Sequence, residues 1–369
     1  MSKLWKPDDA GKVVPVVSVV RVRPLLPPPP QAGVRLQPQH LHWQIGRYKE
    51  DLSFGPGGRG RRKRWVVDME AEQHNIVLNN AYELMAVHGI TLLTRYAVVG
   101  TGSTPPDPSQ LALANEVVRT IMDHTGSTSG SFSYTRVADG VYEQTVVREF
   151  LETEVGNRNL TEWGFSPVDT AGGNLMSREL FRDGNGNPIV ISPASDQRLR
   201  LIYKTRITLS PVVPVPVSID ISGIGIRSGL AVLTLSSAWG SGLFPDLVVV
   251  EVVMTGRVIN SGGNPNSAYQ GVYLHSVAFE TSYASTTMSL GGALASKWSG
   301  VKGYTTNSRQ RKTNPVTFLS NEGNGTIRTI GLGPPLGGAF RFVLDPGQEF
   351  TKTDLYKLTI GEFTVTWGP

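Results

Sequence analysis

Cysteine is absent from this 369-residue chain, which removes disulfides, thiolate metal sites and thiol nucleophiles in one step. No run reaches the ~18 apolar residues needed to cross a bilayer, and the opening MSKLWKPDDAGK lacks the apolar core of a signal peptide. The expectation is a soluble chain with no membrane partner, not secreted by that route. Nucleophile and zinc-protease signatures of the G-x-S-x-G and H-E-x-x-H types are missing too. What the chain has in quantity is Gly 41 and Pro 25, the punctuation of many turns between short strands. The fold class expected is mainly β, with antiparallel β-sandwich-like domains and two short helices in the N-terminal half.

Three spans follow from changes along the chain. Residues 1–65 read as an extended N-terminal arm: Val13 to Arg23 is valine-rich, and Pro24 with Pro27 to Pro30 enforces polyproline geometry that cannot join a central sheet. Such an arm either adds a strand to a neighbour's sheet edge or packs on its own domain. It ends in FGPGGRGRRKRW, where Arg59, Arg61, Arg62, Lys63 and Arg64 concentrate much of the formal charge of +5. A basic block of this kind holds nucleic acid through phosphate contacts, or meets an acidic partner, or is solvated; the lone Trp65 offers little base stacking, which makes nucleic acid the weaker partner.

Residues 66–211 read as an α+β unit. Val77, Ala81, Leu84 and Met85 recur at helical spacing within Glu70 to His88, ahead of Gly89 as the terminating glycine. Arg95 to Val99 suits a buried strand that stops at Gly100 and Gly102. Asp107, Pro108 and Gln110 then form a capping-box pattern, so a helix is expected from Pro108, with Leu111, Ala114, Val117 and Val118 on its buried face. Asp139-Gly140 marks a hairpin, and RLRLIYKTRITLS closes the unit with strict alternation.

Residues 212–369 read as all-β. PVVPVPVSIDISGIGI has the prolines of an edge strand or an inter-domain linker, and LVVVEVVMTGRVI is expected as a buried strand. Ser261 to Gln270 and Gly303 to Pro315 are expected as exposed loops. The segment from Phe340 to the terminal proline parallels Phe181 to Pro211, either as an internal repeat or as a chance likeness of amphipathic strands.

Two segments carry a family resemblance. GTGSTPPDPSQLALANEVVRT at Gly100 and ETEVGNRNLTEWGF at Glu152 resemble a signature of tailed-bacteriophage virion structural proteins, of tail-tip, baseplate, tail-fibre or neck type. NIVLNNAYELMA at Asn75 is similar to their helical lead-in, and YKTRITLS at Tyr203 to their closing strand. The pair Pro105-Pro106 and the basic loop depart from the pattern. The resemblance implies a non-enzymatic virion component, assembled in the host cytoplasm, with other tail or neck proteins and further copies of itself as partners. A host-surface binding module is the second reading, with Tyr269, Tyr273, Trp298 and Tyr304 presented to a glycan. A neck or capsid-associated protein touching nucleic acid through Arg59 to Arg64 is the third.

Sites for chemistry are few, and no catalytic, cofactor or metal residue is assigned. A phosphate cradle at Gly100 fails because the third glycine position is Pro105, and GIGIRSG at Gly223 has its last glycine one residue late. His40 and His42 beside Trp43 lack a third metal ligand. Asp183, Asn185 and Asn187 echo a calcium loop, but Pro188 and Ala194 stand where glycine and glutamate are required. Glu149, Glu152, Glu154 and Glu162 are the carboxylates a glycan hydrolase would draw on, and structural carboxylates on a solvated β face are the plainer reading.

Overall fold

The computed structural model describes residues 5–7, 13–15, 28–50, 63–235, 245–256, 271–283, 293–333 and 340–369. The architecture is mainly β and antiparallel, with three helices among the described residues.

Alternation sets the central sheet. Arg198–Ser210 turns Leu199, Leu201, Tyr203, Thr205, Ile207 and Leu209 inward without a break. It lies between Gln31–Glu50 and Val141–Phe150, antiparallel to both. Ser133–Ala138, Lys63–Gln73, Thr364–Gly368 and Gln310–Lys312 complete seven strands. Gln31–Glu50 changes face halfway: Ala32, Val34 and Leu36 are buried first, then Leu41, Trp43 and Ile45. A register shift opposite Lys204 and Thr205 leaves Gln39 unpaired, and this bulge returns the apolar set to the core while accommodating Pro38. The span 1–65, expected as an arm, thus contains a 20-residue strand inside the sheet. The other edge of that strand's beginning is taken by Thr364–Gly368, running parallel, from Thr364 opposite Gln31 to Gly368 opposite Arg35.

A five-stranded sheet, in the order Ile76–Val77, Ser177–Leu180, Glu162–Ser166, Tyr96–Gly100 and Glu116–Thr120, covers part of the first. Phe165 stacks on Tyr203 with ring centroids 4.6 Å apart, and Trp163 meets the same tyrosine edge-on at 6.0 Å. Burying a ring of this kind is worth roughly 1.5–3 kcal/mol, so the aromatic contact is a main bond between the sheets. The third large sheet has six strands: Val215–Ile221, Gly225–Leu233, Phe340–Leu344, Thr329–Gly333, Gly271–His275 and Ala293–Trp298. Val215–Ile221 is its edge, as its prolines predict. One continuous apolar cluster joins residues from all three sheets.

Three expectations are corrected. LVVVEVVMT is the helix α3, Pro245–Thr255, rather than a strand. Its residues from Asp246 to Met254 are all buried, and a short apolar run buried on every side carries no period to separate helix from strand. The helix α1 is Asn79–His88, and the residues before it form the strand Lys63–Gln73, where Glu70 and Glu72 pair with Gln44 and His42. Gly89 does terminate α1, with φ of 79° and its N–H on the Met85 carbonyl at 3.0 Å. No helix starts at Pro108; the second helix of the N-terminal half is the short α2, Glu152–Val155. The two closing strands of the suspected repeat, Arg198–Ser210 and Thr364–Gly368, flank the same strand in opposite directions, sharing alternation but not pairing.

The two longer helices end together. Arg311 Nη1 donates to the Met254 carbonyl at 2.9 Å and to that of Ala86 at 3.4 Å, placing a cation where both helix dipoles are negative. Beside this, the Glu251 carboxylate of α3 accepts from the Thr91 backbone at 3.2 Å and the Thr91 hydroxyl at 2.6 Å. Burial pushes its pKa from 4.5 up to about 7, with the Thr91 hydrogen bonds acting in the opposite direction. The folded chain therefore holds this proton more tightly than the unfolded chain. Its stabilising contribution is complete below about 4.5, falls as pH rises, and is lost above about 7. The loss is on the order of 3 kcal/mol. Urea midpoints of Glu251→Gln measured from pH 4 to pH 8 are expected to miss this fall; parallel curves for the two proteins would refute the assignment.

Candidate functional site

The two halves of the sequence signature meet at one carboxylate. Glu162 sits on the central strand of the five-stranded sheet, directly opposite Gly100, with no exposed surface. Its Oε1 accepts from the backbone N–H of Gly102 at 2.9 Å and of Asn115 at 2.8 Å, and its Oε2 from Ala114 at 3.0 Å. Arg178, equally buried on the neighbouring strand, donates to Oε2 from Nη2 at 2.7 Å and from Nε at 3.0 Å. The rest of that guanidinium reaches the Thr104 carbonyl at 2.9 Å, the Pro105 carbonyl at 3.4 Å and the Gln110 side chain. A buried anion is thus surrounded by donors, the condition under which its burial is tolerated.

This arrangement explains the glycines. A Cβ on Gly102 would stand 2.3 Å from Glu162 Oε1, and one on Gly100 would stand 2.4 Å from the Asn115 carbonyl oxygen. It also explains why no helix follows Asp107. The cap itself forms, with Asp107 accepting from Ser109 N at 2.8 Å and Gln110 accepting from Asp107 N at 2.9 Å. Beyond it, Glu162 takes the Ala114 and Asn115 N–H groups, while Asn79 and Leu175 take the Pro108 and Leu111 carbonyls. The groups that would close helical turns are committed elsewhere, and the chain enters the strand Glu116–Thr120.

The other glutamates are similarly engaged. Glu149 is buried and paired with Arg198 at 3.0 Å and Arg200 at 2.8 Å, and Tyr48 donates its hydroxyl to it at 3.3 Å. Glu152 pairs with Arg198, whose hydrogen bond holds its pKa below the ordinary value. Glu154 accepts from the Leu151 N–H at 2.7 Å, capping α2. Asp196 pairs with Arg47. Glu152, Asp196 and Arg198 border a cleft of about 410 Å³ lined also by Tyr48, Lys63 and His124. Each of the two carboxylates is paired with a guanidinium, Glu152 with Arg198 and Asp196 with Arg47.

Of the basic block, Lys63 lines this cleft. Lys63 and Arg64 are exposed at the start of the Lys63–Gln73 strand; Arg59, Arg61 and Arg62 lie outside the described residues. Trp65 is held between Arg200, 4.1 Å from its ring centre, and Gly46, where a Cβ would meet the ring at 2.8 Å. Its faces are occupied by the protein.

Of the proposed glycan contacts, Tyr273 and Tyr304 are engaged within the protein. Tyr273 is buried in the six-stranded sheet. Tyr304 donates its hydroxyl to Glu83 at 2.9 Å and stacks on Trp367 at 5.6 Å. Tyr269 is outside the described residues, and Trp298 is the last residue of the Ala293–Trp298 strand. His42 is paired with Glu70 at 2.8 Å, in the outward row next to Trp43. Asp183 spends its carboxylate on its own turn, accepting from the N–H groups of Asn185 and Asn187 at 2.9 Å each, so the calcium-like spacing is a hairpin turn. Among the described residues no three His, Cys, Asp or Glu side chains converge as a metal site would require.

Arg178 is the residue that sequence reasoning missed. Its signal was an arginine inside SREL, a four-residue strand whose every residue is buried. Comparison with known protein families, with curated proteins and with solved structures finds no match for this chain.

Arg178→Met is expected to cost ~3–5 kcal/mol by leaving Glu162 charged and without its counterion. Glu162→Leu is expected to cost more, since three backbone N–H groups lose their acceptor as well. Guanidinium denaturation of the two variants measures both; losses below ~1 kcal/mol would show that the clamp is not structural.

Proposed function

We propose that this chain is a non-enzymatic structural component of a tailed-phage virion, placed in the tail, baseplate or fibre-attachment region and assembled through sheet edges and arms. The signature segments that carry the resemblance support it, because their polar groups are consumed in fixing a turn and two strands. The observation that carries the reading is the edge strand Ser133–Ala138. It ends the seven-stranded sheet, pairs among the described residues with Val141–Phe150 alone, and exposes Val137 by 48%. An unpaired edge with an exposed apolar residue is a template for strand addition. Trp5–Pro7 and Val13–Pro15 pair with each other antiparallel and, among the described residues, join none of the larger sheets.

The purified chain is expected to form a symmetric oligomer by sedimentation velocity, and Val137→Asp is expected to reduce it to smaller species with unchanged circular dichroism. A monomeric wild-type chain that binds host cells would favour the receptor-module reading instead. A wild-type oligomer untouched by Val137→Asp would remove this edge from the assembly.

A further inference from the structure

Buried arginines in this molecule differ in how fully they are used. Arg178 has a protein acceptor for all three of its nitrogens. Arg148 donates from Nε to the Arg95 carbonyl at 2.7 Å and from Nη1 to the Ser131 and Val147 carbonyls at 2.8 Å each, leaving Nη2 without a partner among the described residues. Arg341 is as deeply buried as either, yet only its Nη1 has a partner, the Glu280 carbonyl at 3.2 Å. Among the described residues its Nε and Nη2 have none. These two nitrogens form one edge of the guanidinium plane, with parallel N–H bonds spaced to meet two oxygens of a carboxylate or phosphate group.

The neighbourhood repeats the imbalance. Arg341 pairs with Val232 on one side and Gly331 on the other, and Gly331 pairs with Tyr273, so these residues share one row and one face of the six-stranded sheet. His275, two residues after Tyr273, lies on the same face; it is 2% exposed and neither ring nitrogen has a partner among the described residues. Thr234, two residues past Val232, has a buried hydroxyl with no partner. Phe279 joins the pair, 4.8 Å from the His275 ring and 5.2 Å from the guanidinium carbon. The opposite face holds Val272, Leu274, Leu332, Phe340 and Phe342, all in the apolar core. A buried guanidinium with two idle N–H groups is unfavourable until those groups find acceptors. Burial holds Arg341 down to about 10 and His275 down to about 4, the latter also through the nearby Arg341 charge.

We propose that Arg341 and His275 form an oxyanion-binding site on this face of the six-stranded sheet, which takes a carboxylate, phosphate or sulfate group on the Nε/Nη2 edge of Arg341. The two oxygens of the group satisfy Nε–H and Nη2–H, and a ring N–H of His275 supplies a further donor. Phe279 supplies the apolar wall that keeps the pairing dry.

The test uses the full chain, uniformly ¹⁵N-labelled, in chloride buffer at constant ionic strength. Sodium phosphate, sodium sulfate and sodium acetate are titrated separately while arginine Nε–H resonances and the thermal midpoint are followed. One Nε–H resonance, absent from Arg341→Lys, is expected to shift saturably with at least one anion, with a parallel rise in thermal midpoint. Arg341→Lys, which has no fork, is expected to weaken binding ~10-fold or more. His275→Gln, which keeps the guanidinium, is expected to weaken it several-fold. Saturation by phosphate or sulfate identifies a tetrahedral anion as the ligand; saturation by acetate alone identifies a carboxylate. The proposal is overturned if no Nε–H resonance saturates with any of the three anions, or if Arg341→Lys binds as wild type. Should Arg341→Lys fail to fold, saturation by the wild-type chain and its weakening in His275→Gln decide the matter.

Discussion

A carboxylate buried without exposed surface dictates much of what surrounds it. Glu162 needs donors on every side, and it finds them in the backbone of the segment that passes over its sheet and in Arg178. Meeting that demand forbids a Cβ at Gly102 and prevents a helix after Asp107, pinning residues 102–115 across the outer face of the five-stranded sheet. The small apolar cluster of Leu78, Val98, Leu113 and Leu175 then closes beneath that segment. On the inner face the same strand sends Trp163 and Phe165 against Tyr203, so a single strand ties the polar clamp outside to the aromatic contact inside. An ion pair of this kind is not a large net source of stability, since desolvation offsets most of its Coulombic gain. Its weight lies in specificity: few other packings of these residues could satisfy the two charges together.

Much of the fold was legible wherever one face of a strand is wet. The alternation of Arg198–Ser210, the Asp139-Gly140 turn, the stop at Gly89 and the hairpin at Asp183 each follow from local chemistry that tertiary contacts leave unchanged. Legibility ended where burial became uniform. In α3 the valines have strand propensity, but the surrounding sheets and α1 bury the segment on all sides, and packing outweighs a preference worth only tenths of a kcal/mol per residue. The capping box at Asp107 is a subtler case, because its hydrogen bonds do form; the helix is stopped by a competitor 52 residues downstream of Gln110.

The candidate site was legible in part for the same reason. Glu162 stood out as one acid among four, and only its partners distinguish it from Glu149, which meets two arginines beside a cleft, and from Glu154, which caps a helix. Those partners come from other strands, and spacing along the chain does not encode them. Arg178 and Arg341 share a setting, an arginine within a short strand whose every residue is buried. Alternation hides it, because a polar residue in a strand reads first as an outward one. The aromatic residues show the converse: Tyr304 and Trp65 looked presentable in polar stretches, yet each ring is committed to a neighbour, Trp367 in one case and Arg200 in the other.

The parallel pairing of Thr364–Gly368 with the start of Gln31–Glu50 has a consequence for how the molecule is made. Gln31 donates its side chain to Thr366, a contact spanning 335 positions. During translation that interval occupies on the order of tens of seconds, in which one edge of the long strand is already outside the ribosome and its partner does not yet exist. The start of the long strand thus carries an open β edge until residues 364–368 have been made, and the parallel pair of the central sheet forms only after that interval.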